Sequence, residues 1–438
     1  MKAAPFWEES HPESWSAFGA ERVPPTRTSS LSASVNTLII GAGYTGLSAA
    51  IELSKSGQEA VLVDQGSLWN AIGPGCSSRN GGQVGFSIKP SCRQLSQYYG
   101  EETAHAIMHE ALVANAYLEK NWSGEDIAWR KNGTFVGAHT LGHLRRLSGD
   151  AVRFSEQFAQ PVKLISPEEV SSEIASPLYV GGVVYENEAS LHPRRLHLKM
   201  LNAAAANGAV IFEHHRVIAL QRQSRGFLID VMAPTGLNKV TAERVLIATN
   251  GTTTDALGPA HRWLFPVGSY QLATEDLGSE RAHALIKRQR NVSDVRRVVT
   301  YTRLSPDGRR VIFGGRSSAL ETNARSALPR LRRQMLEVFP SLERTAVDHV
   351  WLGHVGFTFR EHPLVGEDRG YFYSLGYCGQ GIPLAIYYGH RLGQVLARTA
   401  EPPRLWNLGV QTRFYYRKKA WFLPAAILAY QWADRLGV

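Results

Sequence analysis

The stretch LIIGAGYTGLSAAIELSKSGQEAVLVDQG, Leu38 to Gly66, decides the fold. Leu38, Ile39 and Ile40 form an unbroken apolar run, as buried parallel strands do. Gly41, Gly43 and Gly46 then make GxGxxG. Leu47, Ala50 and Ile51 recur at helical spacing, which predicts a helix ending near Gly57. Val61 to Val63 form a second apolar strand, closed by Asp64. Strand, glycine turn, helix, strand and acid together predict a Rossmann-like dinucleotide site. Gly41 permits the tight turn, Gly43 admits a pyrophosphate, and Gly46 lets helix and strand pack closely. Tyr44 and Thr45 start the helix, whose unpaired N–H groups and partial positive charge suit phosphates. Asp64, with Gln65 beside it, can accept hydrogen bonds from a ribose diol and disfavours the 2′-phosphate of NADP. The motif alone does not separate NAD from FAD.

Downstream segments narrow that choice. Ser67 to Ser87, SLWNAIGPGCSSRNGGQVGFS, is too irregular for the second βα unit of an NAD domain. Its backbone N–H groups around Arg79, Asn80, Gly81 and Gly82 can surround a flavin ring or its pyrophosphate; an ordinary surface loop is the alternative. Residues 208–251 read as a strand, a hairpin, then the strand Val245–Ala248 running into Thr249; Val217 falls where a strand can pass an adenine. Near the C-terminus, a strand at Tyr371–Ser374 meets Gly376, Gly379, Gln380 and Gly381, and a helix follows. That second helix N-terminus suits an electron-rich group such as the N1–C2=O edge of a reduced flavin.

These blocks resemble the FAD-dependent glycine/D-amino-acid oxidase (DAO) family, nearest its gamma-glutamylputrescine oxidase-like branch, with monomeric sarcosine oxidase more distant. The matching elements, in order, are IIGAGYTGLSAAIELSKSG, SSRNGGQVG, LHPRRLHLKMLNAAAANGAVIFE, RVLIATNG, LFPVGSYQLATEDL, YTRLSPDGRRVIFGGR, WLGHVGFTFREHPLVGE and GYCGQGIPLA. The resemblance implies bound FAD and oxidation of a carbon–nitrogen bond. It also implies an α/β fold: a Rossmann-like FAD-binding domain with a discontinuous second domain on a mostly antiparallel sheet. Some relatives attach flavin through a cysteine just before the segment matching EHPLVG. Here GFTFREHP has none, so FAD is expected to be non-covalent, with Cys378 a small packing residue rather than an attachment point.

The expected organisation is an N-terminal arm (1–35), an FAD-binding domain (36–90, 181–260 and 345–400), a substrate domain (91–180 and 261–344) and a tail (401–438). SPDG, between two apolar segments near 300–315, predicts a hairpin. Leu328, Leu331, Met335, Leu336 and Val338 predict a helix packed on the core. The tail is basic, then apolar and aromatic. Packing on the main body is the favoured reading over a membrane-surface helix, with Pro424 expected to interrupt its apolar run.

A flavin performs the difficult chemistry of amine oxidation, so the protein must position the substrate C–H, keep the amine neutral and exclude water. Tyr301 and Arg303 alternate on one strand and face the same way, an arrangement suited to clamping a substrate carboxylate. His354 is expected near the flavin edge, where it would influence amine protonation or oxygen reactivity. Gln83 and Asn80 are weaker candidates, and His192 reads as a capping or packing residue. Expected substrates are N-substituted or cyclic amino acids or gamma-glutamyl polyamines. The expected electron acceptor is oxygen or a membrane quinone.

Bulk properties exclude other classes. The chain has 438 residues, 44% hydrophobic and 20% charged, enough for a large core. No window reaches the ~18 apolar residues of a membrane span, and the N-terminus lacks the apolar core of a secretory signal. Three cysteines without a CxxC argue for a reducing, cytoplasmic setting and against a structural zinc. The net charge of +10 is spread in short clusters without a nucleic-acid motif. The competing readings are a flavin enzyme of another class, such as a hydroxy-acid dehydrogenase or an RNA-modifying flavoprotein, and a non-catalytic, membrane-docked flavin binder.

Overall fold

The computed structural model describes residues 1–10, 31–86, 88–316, 321–417 and 420–436. Parts of the expected arm and tail lie outside these residues. The GxGxxG stretch folds as read. Strand β1 (Ser34–Ile40) runs into α1 (Tyr44–Lys55), and β2 (Val61–Val63) pairs parallel with β1. The helix stops at Ser56 because Gly57 takes a left-handed φ of 72°.

The first sheet has the order β17-β18-β11-β1-β2-β8. It uses β8 (Val210–Phe212), β11 (Gly236–Ile247), β17 (Leu364–Asp368) and β18 (Tyr371–Leu375). Strands β18, β11, β1, β2 and β8 are parallel, and β9 (Arg216–Arg222) and β10 (Phe227–Ala233) continue from β11 as an antiparallel meander. The second sheet has the order β16-β12-β15-β14-β13-β4-β6-β5. Its strands are β4 (Thr134–Gly137), β5 (Val162–Ile165), β6 (Gly182–Tyr185), β12 (Leu264–Thr274), β13 (Asn291–Asp294), β14 (Thr300–Leu304), β15 (Val311–Gly315) and β16 (Val347–Thr358). All pairs are antiparallel except β13 with β4. A short ribbon, β3 (Gln83–Val84) with β7 (Ala189–Ser190), stands apart from both sheets.

The expected domain limits shift in two places. Strands β6 and β16, placed by sequence with the FAD-binding part, pair in the second sheet, β16 along nearly all of β12. Helices α2 (Cys92–Tyr99) and α3 (Glu101–Trp122), placed with the substrate part, pack instead with α1, α6 (Pro193–Ala206) and α9 (Gly381–Ala397) against the first sheet. Both shifts follow long-range pairing, which local periodicity does not record.

Caps define the helix starts. Ser91 and Gln94 close a capping box on α2, Thr140 caps α4 (Leu141–Phe158), and His192 caps α6 with Pro193 in the first turn. The second sheet is served by α5 (Val170–Glu173), α7 (Ser279–Leu285) and α8 (Ala324–Val338), whose Leu331, Met335 and Val338 are buried as predicted. The SPDG hairpin is β14–β15, in register from Thr300 opposite Gly315.

Helix α10 (Leu423–Leu436) begins beside Pro424, so the proline occupies the first turn and does not interrupt the helix. The Asp434 carboxylate accepts from the Arg297 and Val298 amides at 2.8 and 3.1 Å, fastening the tail to the body. Phe414, Trp421 and Trp432 remain exposed. No helix among the described residues is long and apolar enough to cross a membrane.

Helices α1 and α9 approach through two glycines. A Cβ at Gly389 would overlap the Thr45 carbonyl, and one at Gly393 would lie 2.7 Å from Ala49 O. Gly389→Ala is expected to destabilise the protein by roughly 1–3 kcal/mol in urea unfolding. Gly142→Ala, on α4 with 3.7 Å to its nearest neighbour, should change stability by less than ~1 kcal/mol, in the stabilising direction.

Candidate functional site

A cavity of about 2140 Å³ lies along the carboxyl ends of β1, β2 and β11 and reaches the second sheet. Single-ligand clefts measure about 300–1,000 Å³, so this one has room for a dinucleotide and a substrate together. Gly41, Gly43, Tyr44 and Thr45 line it, followed by Asp64 and Gln65. Gly41 has φ +106°, and a Cβ there would meet Ala248 O at 2.8 Å. A Cβ at Gly43 would meet Ser77 Oγ at 2.8 Å, and one at Gly46 would overlap Gly41 O. Gly46 therefore serves helix–strand packing and does not line the cavity. Asp64 is half-buried, and desolvation of its carboxyl raises its pKa; the Ala42 and Gly66 amides each donate to one of its oxygens at 2.8 Å. The remaining lone pairs of that carboxylate suit a hydroxyl donor. Val217 and Thr249 line the same end of the cavity.

The glycine-rich loop is held from beneath. Arg79 donates to the carbonyls of Gly73 and Leu352, and Asn80 bonds Cys76 O, Ser77 O and the Gly82 amide. Both side chains are thus committed to loop shape, although Arg79, Asn80, Gly81 and Gly82 all line the cavity. Trp7 Nε1 donates to Asn80 O at 2.9 Å, a support that sequence reasoning missed. Gln83 donates to Thr302 O and ties the loop to β14.

Tyr301 lines the cavity. Its ring lies against Gly314 and Gly81, its hydroxyl is 2.9 Å from Ser269 Oγ, and burial pushes its pKa up to about 12. Arg303 departs from expectation. It is 3% exposed and absent from the cavity wall, and its Nη1 donates to Gly82 O and Leu191 O at 2.6 and 2.9 Å. The predicted carboxylate clamp is therefore a backbone clamp: the strand alternation was right, but Gly82 and Leu191 intercept the guanidinium. Burial without an acid partner brings its pKa down to about 9. Arg303→Met is expected to lower unfolding free energy by roughly 2–4 kcal/mol, since both carbonyls lose their donor. Urea unfolding followed by tryptophan fluorescence measures this.

The C-terminal glycine turn meets α1. Tyr377 OH lies 2.6 Å from Thr45 Oγ1 and 2.8 Å from Ser374 Oγ, so one hydroxyl chain links the two turns. Gly379, Gln380 and Gly381 line the cavity, and nothing approaches a Cβ at Gly379 within 4 Å. Gly376 does not line it and packs on Thr358. The Cys378 thiol is buried, pushed up to about 12, and donates to Gly376 O. His354 lies on the cavity rim with Nε2 2.9 Å from Glu321 Oε1.

Sequence reasoning also missed Glu188 and Gln271. Gln271 lines the cavity, and its buried Oε1 has no hydrogen-bond partner among the described residues. Burial pushes the Glu188 carboxyl from 4.5 up to about 7. Because its folded value exceeds the unfolded one, native protein holds an extra proton between those pH values and loses stability as pH rises through them. Between pH 4 and 9 the stability difference should move in favour of Glu188→Gln by up to about 3 kcal/mol, read from urea midpoints. A constant difference would show that Glu188 titrates normally.

The wall fits FAD: two helix N-termini, a cradle at Gly43 that a side chain would fill, a carboxylate at Asp64 with lone pairs left for a hydroxyl, and an unmatched acceptor at Gln271. The comparisons agree. A family model described as FAD dependent oxidoreductase (DAO) matches residues 36–395. The chain is 30% identical over 360 residues to the "Probable oxidoreductase OrdL" of Rhizobium meliloti (strain 1021), covering 80% of each. It is 26% identical over 401 residues to gamma-glutamylputrescine oxidoreductase of Escherichia coli (strain K12), covering 89% of this chain and 90% of that one. In fold, glycine oxidase from Geobacillus kaustophilus superposes with a TM-score of 0.70 at 19% identity, over 87% of this chain and 100% of that one. Iminodiacetate oxidase from Chelativorans sp. BNC1 gives 0.64 at 17%, over 83% and 96%.

Proposed function

The chain belongs to the DAO family of FAD-dependent oxidoreductases, with FAD as cofactor, and on that premise we propose that it oxidises a carbon–nitrogen bond of an amine or amino acid to an imine. The observation that carries this reading is the single cavity joining the glycine turns to the second sheet, large enough for cofactor and substrate. Gamma-glutamyl polyamines and N-substituted amino acids are the proposed substrates, by similarity to gamma-glutamylputrescine oxidoreductase and iminodiacetate oxidase.

FAD, when bound, accepts the hydride equivalent from the carbon beside the substrate nitrogen. The first turn of α1 would hold its pyrophosphate and Asp64 its ribose. The N-terminus of α9, at Gln380 and Gly381, would face the flavin's electron-rich edge. The loop Arg79–Gly82, kept rigid by its own hydrogen bonds, would support the ring. Tyr301, whose ring lies against Gly81, and its neighbours on β14 and β12 would wall the cavity beside that loop, exclude water and orient the substrate. Hydride loss from the carbon is driven by the nitrogen lone pair and gives an iminium, so the amine must enter neutral or first surrender a proton to the cavity. Non-covalent attachment is proposed, as the Cys378 thiol is engaged with Gly376 O.

Anaerobic mixing of the FAD-loaded protein with a panel of amines and amino acids tests the reading. Loss of the yellow flavin absorbance with at least one amine is expected, and recolouring in air then reports how fast oxygen accepts the electrons. Bleaching by hydroxy acids alone would overturn the assignment.

A further inference from the structure

Glu188 stands just ahead of β7. The β3–β7 register sets Gln83 opposite Ser190 and Val84 opposite Ala189, which brings Gly85 against Glu188. A Cβ on Gly85 would lie 3.1 Å from Glu188 Oε1 and 3.2 Å from Gln380 Oε1, so two oxygen acceptors converge beside a residue with no side chain. Aromatic rings surround them. Phe86 stacks on Phe154 at 5.3 Å with 7° between planes, and Tyr185 meets Phe86 edge-on at 5.8 Å. Phe86, Phe154, Tyr185 and Glu188 all line the cavity.

The Glu188 carboxyl has Thr134 and the Phe86 backbone as polar partners, and no cation among the described residues compensates it. The titratable and charged groups that line the cavity from the surrounding elements include Tyr185 on β6, Arg146, Asp150 and Arg153 on α4, and Glu101, Glu102 and His105 on α3. Asp150 and Arg153 pair with each other, and His105 stacks on Phe158. An acid that lines a cavity together with aromatic rings can offer both charge and ring electrons to a cation. The same acid repels a carboxylate.

We propose that Glu188, Phe86, Phe154 and Tyr185 form a cation-binding subsite that receives an alkylammonium group of the substrate. This rests on the reading of the cavity as an amine site and narrows it. Substrates should present a cationic nitrogen to this wall, which favours polyamine-like compounds over simple amino acids.

Calorimetry on the FAD-loaded protein tests the subsite with choline and its neutral carbon isostere, 3,3-dimethylbutan-1-ol. Choline is expected to bind the wild type more tightly than the isostere does. Glu188→Gln should weaken choline by about tenfold or more and leave the isostere unchanged. Phe154→Leu should weaken choline by about threefold or more, beyond any effect on the isostere, and keeps the test open should Glu188→Gln fail to fold. Three results overturn the proposal: equal choline affinity in wild type and Glu188→Gln, equal weakening of both ligands, or no choline binding to the wild type. The amine panel reports separately on the oxidation. Choline binding as expected, with no amine bleaching the flavin, would sink the oxidation reading and leave the subsite standing.

Discussion

The site depends on one close approach: the first turns of α1 must meet the middle of α9 nearly backbone to backbone. Helices α1 and α9 do so because Gly389 and Gly393 carry no side chains toward Thr45 and Ala49. That contact sets the distance at which Tyr377 OH reaches Thr45 Oγ1. Two partial positive charges are thus aimed into one cavity from strands far apart in sequence. A single helix N-terminus binds one phosphate group; two at fixed spacing can serve both ends of a long, electron-rich cofactor. The glycines of the first turn shape the surface, but the glycines of α9 position it.

The second constraint is the ribbon β3–β7. It leaves the cofactor loop at Gly82 and enters the substrate end at Gly85 and Glu188. Arg303 holds both of its strands by their carbonyls at Gly82 and Leu191. A buried guanidinium without a carboxylate partner is costly, and here the cost is offset by carbonyl acceptors and by Trp7, whose ring lies 5.6 Å from its Cζ. The N-terminal residues therefore bear on the site from outside it: Trp7 touches Arg303 and also supports Asn80 O.

Much of this was legible in the chain, because the relevant signals are local. The strand, glycine turn, helix and second strand between Leu38 and Asp64 read correctly because they lie within thirty residues of sequence, each with its own local signal. The β14–β15 hairpin and the buried face of α8 were legible for the same reason. Arg303 shows where such reading stops. Alternation tells which way a side chain points, not which carbonyl it meets first. Strand β16 was misassigned because its pairing with β12 spans about eighty residues of chain, and sheet membership is set by partners rather than by periodicity. Glu188 had no signal at all: ENEAS resembles a solvated turn, and only the fold surrounds it with Phe86, Phe154 and Tyr185.

These parts give the cavity a polarity. Its cofactor end is built from the first glycine turn and the N-terminus of α1, which favour negative charge. Its substrate end carries Glu188 among aromatic rings. A cationic amine is drawn toward the second end and a pyrophosphate toward the first, so the two ligands sort themselves by charge before any specific contact forms. The low dielectric of a buried cavity strengthens that sorting. It also bears on the chemistry, because the nitrogen must be neutral when its C–H is attacked.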